Sequence, residues 1–366
     1  MRVLQIINSL ETGGAEKLIL DTIPHYVKAG IQMDLLLLWD HQQPFVEALR
    51  ASGCCNIFVL KESENKKDIY SPGHILKIKK YLKDYDIAHV HLFPAQYFAV
   101  FARMISGAKT KLVFTEHNTT NRRINNKLFK PVERFIYSRY HKLVCITQEI
   151  YDIYATYLGG NRKLALINNG VDLSIIKSAV HYNKSALLPQ LADEDKVILQ
   201  VAAFRPQKDQ ATLIKALQKL PDSFKLLLVG VGECLDDCRE LTVALDLQHR
   251  VFFLGQRMDV PRLLKSADYV VLSSHYEGLS LSSIEGLASG KPFLASRVPG
   301  LKEIVDGAGL LFDEGDDAGL AAQLLQLDQD PQLYKDIAIK CCAKAEQYDI
   351  DQMIKKHITL YKSLGA

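Results

Sequence analysis

Short aliphatic and β-branched runs alternate along this chain with longer stretches that mix apolar and polar residues at helical spacing. In the first half the runs are Val3–Ile7, Met33–Leu38, Ile87–His91, Lys111–Thr115 and Lys142–Ile146. In the second they are Val197–Val201, Lys225–Val229, Val251–Leu254, Tyr269–Leu272 and Pro292–Ala295, with a last one near Gly309–Phe312. Runs this short and this apolar predict strands covered on both faces, and the intervening segments predict the helices that cover them. The expected architecture is α/β with doubly wound parallel sheets, closing in helices over Pro331–Tyr348 and Asp351–Leu364. Between the two series lies Ile167-Asn168-Asn169-Gly170-Val171-Asp172, a turn-forming joint followed by a polar stretch to about Lys196. It places a domain boundary near residue 171.

The length, 366 residues, agrees with two domains of roughly 100–200 residues each. With 48% hydrophobic and 24% charged residues the chain can bury a core, which excludes disordered and fibrous classes. Its formal charge of +3 is too near balance for a dedicated nucleic-acid binder. That sum hides an asymmetry: residues 1–172 hold 23 Lys and Arg against 16 Asp and Glu, a net +7, and the remainder a net −4. The basic charge concentrates in 119–142, where Arg122, Arg123, Lys127, Lys130, Arg134, Arg139 and Lys142 face Glu133 alone and alternate with Phe129, Phe135, Ile136, Tyr137 and Tyr140. Such a mixture suits contact with anionic lipid headgroups, and equally a solvated helix whose aromatics pack inward. The seven cysteines, Cys54, Cys55, Cys145, Cys234, Cys238, Cys341 and Cys342, show neither C-x-x-C nor zinc spacing and read as reduced thiols. No signal-peptide pattern opens the chain and no apolar stretch approaches about 20 residues, so a cytoplasmic location, at most peripheral to a membrane, is expected.

In parallel α/β sheets ligands bind beyond the carboxyl ends of strands, which directs attention to five turns. Asn8-Ser9-Leu10-Glu11-Thr12-Gly13-Gly14-Ala15-Glu16 offers backbone amides at a helix start, an anion or sugar cradle or a plain tight turn. It lacks the G-x-G-x-x-G and P-loop spacings. Gly230-Val231-Gly232 is a second strand-to-helix turn, weak evidence alone. His117 follows a strand in Thr115-Glu116-His117-Asn118, where a polar setting favours a functional over a merely structural histidine. Arg205 and Lys208 follow another strand, a fork and a point charge suited to phosphate oxygens. The fifth turn carries two carboxylates, Glu277 in the loop and Glu285 about one helical turn inside the next element, able to reach opposite ends of one extended ligand. Ser282-x-x-Glu285 also matches a capping box, a purely structural use of Glu285 that leaves Glu277 unexplained.

The stretch Glu277-Gly278-Leu279-Ser280-Leu281-Ser282-Ser283-Ile284-Glu285 resembles the E-x7-E signature of retaining glycosyltransferases. Around it stand Ala288-Ser289-Gly290-Lys291-Pro292, Val298-Pro299-Gly300-Leu301-Lys302-Glu303-Ile304-Val305, Gly13-Gly14-Ala15-Glu16, Asn169-Gly170-Val171-Asp172, Arg205 with Lys208, and Gly230-x-Gly232. Nearly end to end, the chain resembles glycosyltransferase family 4 enzymes of bacterial surface-polysaccharide type. The resemblance implies a GT-B fold, two Rossmann-like domains facing a central cleft: 1–170 for the acceptor, 171–349 for the nucleotide sugar, and a last helix, 350–366, returning to the first domain. It further implies that Glu285 holds the ribose hydroxyls and Glu277 a hydroxyl of the transferred sugar. Arg205 and Lys208 would neutralise the diphosphate with helix-start amides near Leu281 and Gly14, flanked by Gly13, Gly232, Ser280 and Ser282, and His117 would approach the sugar. The family pattern G-R-x-x-P-x-K puts Ala203 at its arginine position, with the guanidinium displaced to Arg205.

The expected reaction is retaining transfer of a hexose or N-acetylhexosamine from a nucleoside diphosphate sugar, UDP preferred, to a glycan or polyprenyl-linked acceptor. No cofactor and no metal are expected, because Asp84/Asp86, Asp193/Asp195, Asp328/Asp330 and Asp349/Asp351 fall at helix ends and loops. Competing readings are a nicotinamide-dependent dehydrogenase, disfavoured by the missing glycine fingerprint, a GT-B-fold epimerase or phosphorylase, and a non-catalytic sugar-nucleotide-binding subunit.

Overall fold

The computed structural model describes residues 1–365 except Thr12, Thr119, Thr120, Asn121 and Lys127, with Arg122 and Asn125 described by backbone alone. The chain forms two compact units, Met1–Gly170 with Ile350–Ala366, and Val171–Asp349. In the first, β1 (Arg2–Ile7), β2 (Gln32–Leu37), β3 (Ile57–Val59), β4 (Ile87–His91), β5 (Lys111–Glu116), β6 (Lys142–Cys145) and β7 (Leu164–Leu166) form one sheet in the order β3-β2-β1-β4-β5-β6-β7. Its pairs are parallel throughout. The strand order reverses at β1/β4, the switch point at whose carboxyl ends such sheets bind ligands.

The second unit repeats the plan with β8 (Lys196–Val201), β9 (Phe224–Val229), β10 (Val251–Phe253), β11 (Tyr269–Leu272), β12 (Phe293–Ser296) and β13 (Leu310–Phe312), ordered β10-β9-β8-β11-β12-β13. Its switch point is β8/β11. Val197, Ile198, Leu199, Val270, Val271 and Leu272 on those central strands are buried, as strands covered on both faces require. The architecture is the expected one, two parallel-sheet Rossmann-like units. β3 and β7, the three-residue edge strands of the first sheet, were not among the predicted runs.

The closing helix Ile350–Ser363 buries Ile350, Met353, Ile354, His357, Leu360 and Tyr361, one stripe at three- and four-residue spacing. It packs in the first unit against the helix Gly14–Lys28, where His25 Nδ1 meets Asp351 Oδ1 at 3.0 Å and Tyr26 Oη meets His357 Nδ1 at 2.6 Å. No helix among the described residues is long and apolar enough to cross a membrane.

In 119–142, Lys127 and the side chain of Arg122 lie outside the described residues. The helix Lys130–Arg139 turns Ile136 and Tyr137 inward, and Tyr140 follows them into the core. Glu133, the segment's one acid, is buried, accepting from Arg123 Nε and Tyr97 Oη at 2.5 Å each. What remains outside is Lys130, Arg134 and Arg139 with exposed Leu128, Phe129 and Val132, so part of the aromatic content is core and the rest is a basic, apolar surface.

Candidate functional site

Because β8 and β11 flank the switch point of the second unit, residues 203–208 and 273–280, 69 positions apart at Lys208 and Glu277, become neighbours. The Lys208 ammonium donates to Glu277 Oε1, which also accepts from Ser274 Oγ at 2.6 Å. Glu277 is 5% exposed and Lys208 15%. Such a pair repays its desolvation only with good geometry and added hydrogen bonds, and Ser274 supplies one. Glu277 Oε2 has no bond among the described residues, so the loop presents one carboxylate oxygen that its own packing does not use.

Polar groups beneath hold the pair. Gln200 Nε2, from β8, donates to the Lys208 carbonyl at 3.2 Å, and Ser273 Oγ donates to the Asp209 carbonyl at 2.7 Å. Asp209, at φ +43°, caps the helix Gln210–Gln218 by accepting from the Thr212 amide. His275 reaches Glu314 Oε1 at 2.7 Å through Nδ1. The Glu277 amide donates to the Pro299 carbonyl at 3.3 Å. Gly300, at φ +85°, packs so closely that a Cβ there would collide with the Glu277 carbonyl. Val298-Pro299-Gly300 is therefore the support of the Glu277 loop.

Arg205 takes another course. It begins the short 3-10 turn Pro206–Lys208, is exposed, and has no side-chain partner among the described residues. Gly232 (φ +157°) and Gly230 (φ +144°) lie against the Phe204 and Ala202 carbonyls, where a Cβ would clash. Backbone packing of the two loops, with the Phe204 amide on the Val231 carbonyl at 3.0 Å, accounts for both glycines.

The capping-box expectation for Glu285 fails. The helix Leu281–Ala288 starts one residue before Ser282, its N-cap is Ser280, and no side chain caps it. Ser282 lies inside the helix and is not its N-cap, so the Ser282-x-x-Glu285 box is not in register with the helix start. Ser280 and Ser282 flank Leu281 at an end whose first amides are left to an outside acceptor. Glu285 stands one turn further in, half-buried.

In the first unit Gly13 is the N-cap of Gly14–Lys28 at φ −135°, an extended conformation any residue adopts. A Cβ on Gly14 would meet nothing, and one on Gly13 only the flexible Glu16 carboxylate. Open space therefore lies beside Gly14, while the Glu16 carboxylate stands against Gly13. Asn8, after β1, bridges to the β4 loop by donating to the Phe93 carbonyl at 2.8 Å and accepting from the Ala95 amide at 3.2 Å.

His117, just past β5, is joined to a chain of buried polar side chains. Its Nε2 lies 2.9 Å from His91 Nδ1, and His91 Nε2 lies 2.8 Å from Gln5 Oε1. His89 stacks on His91 and contacts Tyr361 Oη at 2.6 Å and Thr115 Oγ1 at 2.7 Å. Burial holds His117 down at about 4 and His357 at about 3, and drives His89 and His91 well below the usual histidine value. All four rings are neutral at pH 7. Next door, burial raises the Glu116 carboxyl, against the opposing hydroxyl bonds of Tyr154 (2.6 Å) and Tyr137 (3.0 Å).

The Asp-x-Asp pairs serve local structure. Asp86 accepts from the Arg2 amide, Asp195 from the Ala192 amide, Asp328 pairs with Lys196 at 3.1 Å, Asp330 caps the helix Pro331–Ala345, and Asp351 meets His25. No group of His, Cys, Asp or Glu suited to a metal occurs among the described residues. All seven cysteines are unpaired.

Sequence reasoning picked out Glu277, Lys208, Arg205, Glu285, His117 and the glycines, and missed the residues that hold them: Ser274, Gln200, Gln5 and His91. The signal was present as polar residues at alternate positions within otherwise apolar strands, Gln5 in β1 and His89 and His91 in β4.

A family model described as Glycosyltransferase Family 4 matches residues 12–175, and one described as Glycosyl transferases group 1 matches 189–340. The N-acetyl-alpha-D-glucosaminyl L-malate synthase of Bacillus anthracis is 26% identical over 294 residues, covering 75% of this chain and 74% of that one. The N-acetylgalactosamine-N,N'-diacetylbacillosaminyl-diphospho-undecaprenol 4-alpha-N-acetylgalactosaminyltransferase of Campylobacter jejuni is 27% identical over 359 residues, 94% of each chain. Among solved structures, Anabaena Alr3699/HepE in complex with UDP-glucose superposes with a TM-score of 0.84 at 23% identity, covering 99% of this chain and 100% of that one, a likeness of fold. With two adjoining family models spanning most of its length on the fold they imply, the chain belongs to the family 4 glycosyltransferases of GT-B architecture.

Proposed function

We propose that the chain transfers a hexose or N-acetylhexosamine from a UDP-sugar, with retention of anomeric configuration, to a glycan carried on a polyprenyl diphosphate in cell-surface polysaccharide synthesis. The observation that carries this reading is Glu277: nearly buried, held through Oε1 by Lys208 and Ser274, with Oε2 left for a ligand hydroxyl. Lys208 and the exposed Arg205 take the diphosphate, aided by the first amides of Leu281–Ala288 and by the Gly13-Gly14 turn. Glu285 takes the ribose hydroxyls, and His117 receives a hydroxyl of the transferred sugar. The UDP preference is supported by the UDP-glucose complex of the Anabaena neighbour, and the lipid-linked acceptor by the printed activity of the Campylobacter relative.

In the transfer step the bond from the anomeric carbon to the β-phosphate oxygen breaks and its electrons stay on UDP. The acceptor oxygen bonds to the same face of the anomeric carbon and passes its proton to the departing phosphate oxygen. Charge develops on the diphosphate, so a fixed ammonium with helix-start amides supplies the main electrostatic stabilisation without a metal. The basic surface around Lys130, Arg134 and Arg139, with Leu128 and Phe129, rests against anionic lipid where such an acceptor resides.

A panel of nucleotide sugars, read by thermal shift and by slow donor hydrolysis, tests the reading. Stabilisation and UDP release with at least one UDP-sugar are expected, and a response confined to GDP- or ADP-sugars would overturn the donor assignment. Inversion of a sugar stereocentre without release of UDP would instead favour an epimerase.

A further inference from the structure

Parallel pairing places Gln5 of β1 opposite His89 of β4, and His91 of β4 opposite Thr115 of β5. Side chains alternate along a strand, so Gln5, His89, His91 and Thr115 stand on one face of the sheet, where Tyr26, His357 and Tyr361 close over them. Gln5, His91 and His117 run across that face as a hydrogen-bonded line towards the strand ends.

The line has a direction. A neutral imidazole has one N–H donor and one acceptor nitrogen. Gln5 presents its amide oxygen, Oε1, to His91 Nε2 at 2.8 Å. An amide oxygen only accepts, hence His91 carries its proton on Nε2 and its Nδ1 is an acceptor. His117 Nε2, 2.9 Å away, must then be the donor. The opposite arrangement would set two lone pairs against each other at 2.8 Å between Gln5 and His91. His117 Nδ1 is left as an acceptor, with no partner among the described residues.

We propose that Gln5 and His91 are positioning residues for glycosyl transfer, holding His117 as the ring protonated on Nε2 so that Nδ1 accepts a hydroxyl of the transferred sugar. This rests on the assignment of His117 to the sugar. The titratable groups facing His91 are His89 on its own strand, His117 beyond β5 and His357 on the closing helix; among the described residues no carboxylate or Lys/Arg charge bears on it.

The tautomer is read directly by two-bond 1H–15N correlation on 15N-histidine-labelled enzyme, the His117 signals assigned with His117→Asn. The expected wild-type spectrum shows His117 protonated on Nε2, and protonation on Nδ1 would overturn the proposal with no activity measured. Gln5→Glu supplies the kinetic arm. A carboxylate at 5 favours the His91 imidazolium, which carries protons on both nitrogens and turns His117 into an acceptor at Nε2 and a donor at Nδ1. Wild-type kcat should be flat across about pH 6–8.5, while Gln5→Glu should lose roughly tenfold or more at the acid end and recover as pH rises, with donor KM little changed. A flat profile for Gln5→Glu with wild-type kcat contradicts the proposal. His91→Asn, which sets an amide oxygen near the position of Nδ1, should retain the His117 tautomer and most of kcat, and His91→Leu should lose both. Equal loss in the two His91 variants also contradicts it. If the tautomer is as stated and His117→Ala transfers sugar at the wild-type rate, the assignment of His117 falls while the geometry of the line stands.

Discussion

Lys208 and Glu277 meet across the β8/β11 switch point, the ammonium donating to Oε1 while Ser274 holds the same oxygen and Oε2 stays unused. Removing either partner has two separable effects. Lys208→Ala leaves a nearly buried carboxylate without its cation, a loss of about 3–5 kcal/mol for a fully buried pair and less here because Lys208 is partly exposed. The double variant Lys208→Met, Glu277→Gln should be more stable than the sum of the single changes, by thermal denaturation. Transfer should fall about a hundredfold or more in every one of these variants.

Arg205 has no side-chain partner to lose among the described residues. Arg205→Ala should shift unfolding free energy by no more than about 0.5 kcal/mol, and it should weaken UDP binding by calorimetry roughly fivefold to tenfold, the loss of one exposed charge-assisted contact. Unchanged UDP affinity would show that the guanidinium displaced from position 203 serves no diphosphate.

Gly300 is a steric test of the Glu277 loop. At φ +85°, any L-residue costs about 1–2 kcal/mol in backbone strain alone, and the new Cβ strikes the Glu277 carbonyl. Gly300→Ala should lower the melting temperature and reduce transfer tenfold or more, while Gly14→Ala, with open space around it, should leave the melting temperature unchanged.

How far such relationships were legible in the sequence depends on their range. The central strands declared themselves through continuous apolar runs, while at the sheet edges three-residue strands were found in the second unit, β10 and β13, and passed over in the first, β3 and β7. That Glu277 and Arg205/Lys208 belong at strand ends was readable, because each follows an apolar run and precedes a helix. That Lys208 lands on Glu277, 69 residues away, was not, because it follows from β8 and β11 being neighbours. Gln5 and His91 were passed over because a single polar residue inside a strand looks tolerated until the adjoining strand shows its partner. The capping-box alternative at Ser282-x-x-Glu285 came from a pattern shared by helix starts and first turns; a helix starting two residues earlier puts it out of register.

Acid should unfold the first unit early. His89, His91, His117 and His357 are held below the usual histidine value of 6.5, His117 at about 4 and His357 at about 3. Between those values and 6.5 the unfolded chain binds more protons than the folded one, so stability rises with pH through that window and is lost as pH falls through it. Each histidine adds about 1.4 kcal/mol per pH unit at full slope. Urea midpoints measured from pH 7 down to 4.5 should fall steeply, and His357→Phe, which removes one titrating ring, should flatten the slope.

The central claim is that the Lys208–Glu277 pair holds a UDP-sugar for transfer to a lipid-linked glycan. The most direct measurement follows UDP release and product formation with a polyprenyl diphosphate-linked glycan and the UDP-sugar selected by thermal shift, with and without chelator. The account predicts acceptor-dependent release of UDP, an axial or equatorial product linkage matching the donor, no effect of chelator, and loss of all turnover in folded Glu277→Gln. Wild-type turnover in Glu277→Gln would contradict it.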